Sequence, residues 1–189
     1  MDISECRNLC PSCMKNAGEE KGICPHCKSS LASENPPHCM AEGSSLNGKY
    51  YVGKAVGETS RSITYLGLDL TKNQRVVIKE FYPGENALRQ ADRYTVAFND
   101  KTVNSDVFYK EKSDFVTRTR NLAFFRRYKG VVAMLDDFDE NGTSYRVLEY
   151  TQGVLLSEIF QKRGTFFPPD ELLMLLESVF IAVNAFNEE

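Results

Sequence analysis

No cysteine and no histidine occurs after residue 39, so thiol and imidazole ligands are confined to the first forty residues. No apolar run approaches the roughly 18 residues needed to cross a membrane, which excludes a spanning segment. The start, Met1-Asp2-Ile3-Ser4-Glu5, lacks an apolar stretch and so does not read as a signal peptide. Positive charge is not in excess: the net charge of −3 argues against general affinity for nucleic acid. Internal repeats and low-complexity tracts are also missing, apart from two similar cysteine turns. With 42% hydrophobic and 26% charged residues, what remains is an ordinary globular composition. The cytoplasm is the expected compartment, and there clustered cysteines read as metal ligands before they read as disulfides.

Cys10-Pro11-Ser12-Cys13 and Cys24-Pro25-His26-Cys27 are two Cys-x-x-Cys turns. Each turn brings two thiolates to one ion, and two turns complete a tetrahedral shell. Four thiolates leave no open position, so the expected centre is structural Zn2+ held by Cys10, Cys13, Cys24 and Cys27. So few residues cannot bury a core of their own, and metal binding supplies the folding free energy. His26 sits inside a turn and is expected to face solvent. Cys6, His38 and Cys39 are left over; His38 and Cys39 lack a second pair and are not expected to form another metal site. The expected division is a ribbon over 1–28, a polar, proline-broken linker over 29–45, and one larger domain over 46–189.

That larger domain is rich in strand signals and opens on a strand at Leu46-Asn47-Gly48-Lys49-Tyr50-Tyr51-Val52. Ser62–Asp69 and Arg75–Phe81 carry β-branched and aromatic residues at strand length, with the polar turn Thr71-Lys72-Asn73-Gln74 between them. A helix is expected from Val107 to Tyr128. Strands over Val131–Phe138 and Ser144–Tyr150 are joined by Asp139-Glu140-Asn141-Gly142, and Asn-Gly between apolar runs signals a hairpin. A short helix near Leu155–Gln161 and a longer one from Pro168 close the chain.

Three strands, a helix, two strands and further helices is the order of a protein-kinase N-lobe entering its C-lobe. Val76-Val77-Ile78-Lys79 stands where kinases carry Val-Ala-Ile-Lys, whose lysine contacts the α- and β-phosphates of ATP. Val147-Leu148-Glu149-Tyr150 is similar to the gatekeeper and hinge segment. More narrowly, the chain resembles bacterial Ser/Thr protein kinases with N-terminal zinc ribbons, through Ile63-Thr64-Tyr65-Leu66, Ile78-Lys79-Glu80-Phe81-Tyr82-Pro83 and Phe138-Asp139-Glu140-Asn141-Gly142-Thr143-Ser144-Tyr145. The resemblance implies an α+β fold: a five-stranded antiparallel sheet with one αC helix, the first C-lobe helices, and a zinc ribbon in front. It also implies an ATP site at Gly57, Lys79 and Glu149.

The parts a kinase needs are incomplete within this sequence. Arg-Asp occurs nowhere, so the His-Arg-Asp base is missing, and Asp137-Phe138-Asp139 precedes the hinge and only mimics the metal-binding Asp-Phe-Gly. The glycine loop reads Gly57-Glu58-Thr59-Ser60-Arg61-Ser62 and keeps one glycine, with Glu58 expected to bring negative charge near the phosphates. Aligning the helix places Arg118 where a glutamate should hold the lysine, with Glu111 about 10 Å further along the axis. The sequence thus reads as a truncated, inactive kinase-like chain in which ATP binding is possible but not expected. The alternatives are a pseudokinase and ribbon acting as a binding module, or half of a kinase completed by a separate C-lobe. The last helix is expected to expose Leu172, Leu176, Val179, Phe180 and Val183 for a protein partner or for self-association. The basic run Arg118, Arg120, Arg126, Arg127 and Lys129 reads as a solvated helix face.

Overall fold

The computed structural model describes residues 3–18, 22–123, 130–164 and 166–187. After a 3-10 turn over Ile3–Asn8 and the two cysteine turns come β1 (Ser45–Leu46), β2 (Tyr50–Thr59), β3 (Ser62–Asp69) and β4 (Gln74–Phe81). β5 (Ala87–Arg89) and β6 (Val96–Phe98) make a small separate hairpin, followed by α1 (Ser105–Ala123). β7 (Met134–Glu140) and β8 (Thr143–Glu149) return to the main sheet, and α2 (Leu156–Arg163) and α3 (Pro169–Asn187) follow. The main sheet runs β1-β2-β3-β4-β8-β7, antiparallel throughout. Its five long strands are those expected, and the two-residue β1 adds an edge. Among the described residues no helix is long and apolar enough to cross a membrane.

The hairpins follow from their turn residues. Asn141 and Gly142 take φ of 52° and 77°, the left-handed pair a tight β7–β8 turn requires. A Cβ on Gly142 would strike the Val96 carbonyl, so this turn also seats β6. β5 and β6 were not expected, because three-residue strands are too short to display an alternating pattern.

β2 is irregular in a useful way. Its register with β3 slips between Val52 and Ala55 and again before Gly57. The slip turns backbone groups away from β3. Lys54 N–H donates to the Pro11 carbonyl of the first cysteine turn at 2.9 Å, and Ala55 N–H to Asn35 Oδ1 at 2.9 Å. The buried Asn35 amide donates in turn to the Met40 and Gly53 carbonyls, both at 3.0 Å. The segment 29–45 is therefore bound to the sheet rather than hanging loose, and Cys39 and Met40 lie in the main core.

Along β4, Val76, Ile78 and Glu80 face one way and Val77, Lys79 and Phe81 the other. Phe81 meets Phe108 and Phe115 of α1 at 5.4 and 5.6 Å between ring centres, which fixes the helix across the sheet. Tyr50 stacks on Phe138, and Phe138 on Tyr145. A second cluster joins Cys6 and Met14 to Tyr51, Leu66 and Leu68, docking the first cysteine turn on β2 and β3. α2 buries none of its side chains, and α3 exposes Leu173, Met174, Val179, Phe180, Ile181 and Val183. Leu172 and Leu176, expected among the exposed set, are half-buried. The end of the expected first helix, with Arg126, Arg127 and Lys129, lies outside the described residues.

Candidate functional sites

The two cysteine turns are built alike. Cys10 N–H donates to the Lys15 carbonyl and Met14 N–H to that of Cys10; Cys24 and Lys28 repeat the arrangement with Ser29 and Cys24. Met14 and Lys28 both take the left-handed conformation that reverses the chain. The sulfurs of Cys10, Cys13, Cys24 and Cys27 all lie within 4.8 Å of one another. Cys10 to Cys27 is 3.6 Å and Cys13 to Cys24 is 3.8 Å. A tetrahedral ion with metal–sulfur bonds of about 2.3 Å has sulfur–sulfur edges of roughly 3.8 Å, so the four fit one closed shell. Burial pushes the Cys10 thiol up to about 12 and raises Cys13, whereas hydrogen bonds from Ser29 bring Cys27 down to about 6. A central cation offsets the desolvation of the buried thiolates. His26 stands outside the shell, its Nε2 2.9 Å from the Asn16 carbonyl.

Lys79 lies in a cleft of about 190 Å³ between the sheet and α1. Its register neighbours are Thr64 on β3 and Arg146 on β8. Arg61, Arg118 and Arg146 line the same cleft, with Glu111 and Asp114 as its two carboxylates. The helical spacing of residues 111, 114 and 118 puts all three on one face. Among the described residues Lys79 forms no ion pair. The Arg146 guanidinium lies 3.5 Å from the Phe115 ring centre, and its Nε is buried without a hydrogen-bond partner. Burial, reinforced by Arg118 and opposed by Asp137, lowers Arg146 to about 10.

Gly57 and Glu149 lie outside the lining of this cleft. A Cβ on Gly57 would meet open space. Glu149 N–H donates to the Ala133 carbonyl, and its carboxylate accepts from Ala133 N–H, both at 2.9 Å. Glu58 is not directed at a phosphate position. Its carboxylate is 2.7 Å from His38 Nε2 and accepts from the Cys39 thiol at 3.4 Å, because strand alternation turns it toward the segment before β1. Asp137-Phe138-Asp139 runs along β7, with Phe138 in the aromatic stack and Asp139 accepting from Ser144 at 2.6 Å.

One group of residues was not singled out from the sequence. The wholly buried Glu80 accepts from Tyr65 at 2.8 Å and Tyr145 at 2.9 Å, and pairs with the equally enclosed Arg89 through two nitrogens. Arg89 also donates to the carbonyls of His38 and Tyr94, and Tyr65 accepts from Met40 N–H. A carboxylate among apolar residues of β4 demands such partners, and that signal was legible. Arg89, on an unrecognised three-residue strand, offered none.

Neither family models nor curated proteins match the sequence. Solved structures do. The apo form of PpkA-294 aligns with a TM-score of 0.60 and 24% identity, over 67% of this chain and 43% of its own. The M. tuberculosis PknI kinase domain aligns with a TM-score of 0.54 and 16% identity, over 76% of this chain and 49% of its own. The chain thus spans less than half the length of either.

Proposed function

We propose that this chain, which carries a protein-kinase-like fold, is a kinase-like protein without phosphoryl-transfer activity, fastened to a structural zinc ribbon. The observation that carries this reading is the setting of Lys79. Phosphoryl transfer needs that lysine aligned on the phosphates by a carboxylate from the neighbouring helix. The sequence alignment puts Arg118 in that carboxylate's place; Glu111 and Asp114 also line the cleft, but among the described residues Lys79 pairs with neither and shares the cleft with Arg118 and Arg146. Like charges there push the ammonium away instead of orienting it. A loop with one glycine, whose Glu58 is held by His38, supports the same reading. For the ribbon, the soft, closed donor set favours Zn2+, which would be held by Cys10, Cys13, Cys24 and Cys27 and would fix the two turns. A cytoplasmic setting, where those thiols stay reduced, suits both parts.

Thermal unfolding with and without Mg2+–ATP tests the inactive reading. Saturating nucleotide should leave Tm within about 1 °C, and Lys79→Ala should change nothing. A rise of several degrees abolished by Lys79→Ala would overturn it, as would phosphate transfer from labelled ATP. Elemental analysis with thiol alkylation tests the ribbon: at least one zinc per chain, with Cys10, Cys13, Cys24 and Cys27 slow to alkylate, is expected, and no metal with free alkylation of these four would refute it.

A second reading is favoured by α3. Leu173, Met174, Phe180 and Ile181 flank a groove on that helix and are exposed. Such a face suits protein docking or self-association.

A further inference from the structure

We propose that His38, Cys39 and Glu58 form a second divalent-cation site, which clips the segment following the ribbon to the β2–β3 hairpin. The three residues come from two elements far apart in sequence, yet one ligand atom of each lies within 4.8 Å of the other two. They are an imidazole nitrogen, a thiol sulfur and a carboxylate oxygen, a mixed set that suits Zn2+ or Co2+ better than Mg2+ or Ca2+.

The distances are close to those a tetrahedral ion imposes. With bonds of about 2.3 Å to sulfur and 2.0–2.1 Å to oxygen or nitrogen, the sulfur–oxygen edge is roughly 3.5 Å and the nitrogen–oxygen edge roughly 3.3 Å. Cys39 Sγ to Glu58 Oε1 is 3.4 Å. His38 Nε2 to Glu58 Oε1 is 2.7 Å, so uptake needs these two atoms to separate by about 0.6 Å. Both side chains have room for this, being 44% and 47% exposed, while Cys39 is buried beneath them. The backbone is already positioned: Arg89, held by buried Glu80, donates to the His38 carbonyl, and Cys39 N–H donates to Pro36. One thiolate, one carboxylate and a neutral imidazole balance a dication, and the Cys39 proton leaves to solvent as the ion binds. Three protein ligands leave the fourth position to water, so this site is open where the four-cysteine centre is closed.

The consequence is mechanical. Glu58 is the last residue but one of β2, close to the turn that in a kinase covers the phosphates. An ion at this site ties that turn to residues 38–39.

The test is zinc stoichiometry of the full chain, by elemental analysis after dialysis against micromolar Zn2+, with Co2+ absorption as a second readout. Wild type should hold two equivalents, and Glu58→Gln, His38→Gln and Cys39→Ser one each. Co2+ titration should show the second equivalent weakened at least tenfold in each variant. A single equivalent in wild type overturns the proposal, and so does a second equivalent that persists in all three variants. Glu58→Gln and His38→Gln alter half-exposed side chains, so the test does not depend on the folding of the buried Cys39 variant. Wild-type protein with one equivalent and all four ribbon thiols protected would sink this site and leave the ribbon standing.

Discussion

Glu80 neighbours Lys79 in sequence but faces the other way, and its part in the molecule is different. It is a charge taken wholly out of water and satisfied by Tyr65, Tyr145 and Arg89. Removing one member of a buried pair strands the other, at a cost of about 3–5 kcal/mol. Glu80→Ala should therefore lower unfolding stability by that amount in denaturant titration. Replacing Glu80 and Arg89 together should cost less than the sum of the single changes. Asp136 gives a pH-dependent counterpart. Burial raises its carboxyl, but hydrogen bonds from Tyr50 at 2.7 Å and Lys49 at 3.1 Å outweigh burial and leave it below the usual 3.8. A carboxylate depressed in the folded state contributes stability above its unfolded value, and loses it as pH falls through the folded one. Wild type should exceed Asp136→Asn in Tm at pH 6, and the gap should narrow progressively as pH falls below 3.8. A gap that does not narrow on acidification would contradict the assignment.

At the scale of elements, the ribbon and the sheet are joined by a close approach at Gly53. A Cβ there would collide with Met14 and with the Pro11 carbonyl. Gly53→Ala should lift the first cysteine turn from β2, exposing Tyr51 and Leu66, while leaving the metal in its four-thiolate shell. Limited proteolysis before residue 45 should quicken, with Cys10, Cys13, Cys24 and Cys27 still slow to alkylate. Stripping the metal with a chelator should release the same surface and lower Tm, since the cluster of Cys6, Met14, Tyr51, Leu66 and Leu68 loses its lid. Which elements were legible from sequence follows from the range of their causes. The long strands, the Asn-Gly turn and the cysteine turns are set by residues a few positions apart, so pattern and spacing revealed them. The β2 slip, the β5–β6 hairpin and the bound segment 29–45 depend on Pro11, Asn35, Val96 and Arg89, partners distant in sequence. The direction of Glu58 is hidden for the same reason: the loop motif suggests phosphate, and only the fold brings His38 and Cys39 to it.

Across the whole molecule, apolar surface is distributed unevenly. α1 packs on Phe81 and the ribbon on Tyr51, Leu66 and Leu68, whereas α2 and much of α3 are open. If α3 associates with another surface, Phe180→Asp should abolish concentration-dependent assembly in light scattering and leave Tm nearly unchanged. The order of the sheet has a further effect, on synthesis. β4 lies between β3, which precedes it directly, and β8, which pairs Val76 with Glu149. A chain emerging from the ribosome can close β2, β3 and β4 early, but the far edge of β4 stays unpaired until residue 149 has been added. At about 5–20 residues per second that interval is roughly 3–14 s. Throughout it, Val76, Val77 and Ile78 form an open strand edge available to other nascent chains. The fold therefore passes through a window of exposure to aggregation during translation, before its central strand has acquired its second neighbour.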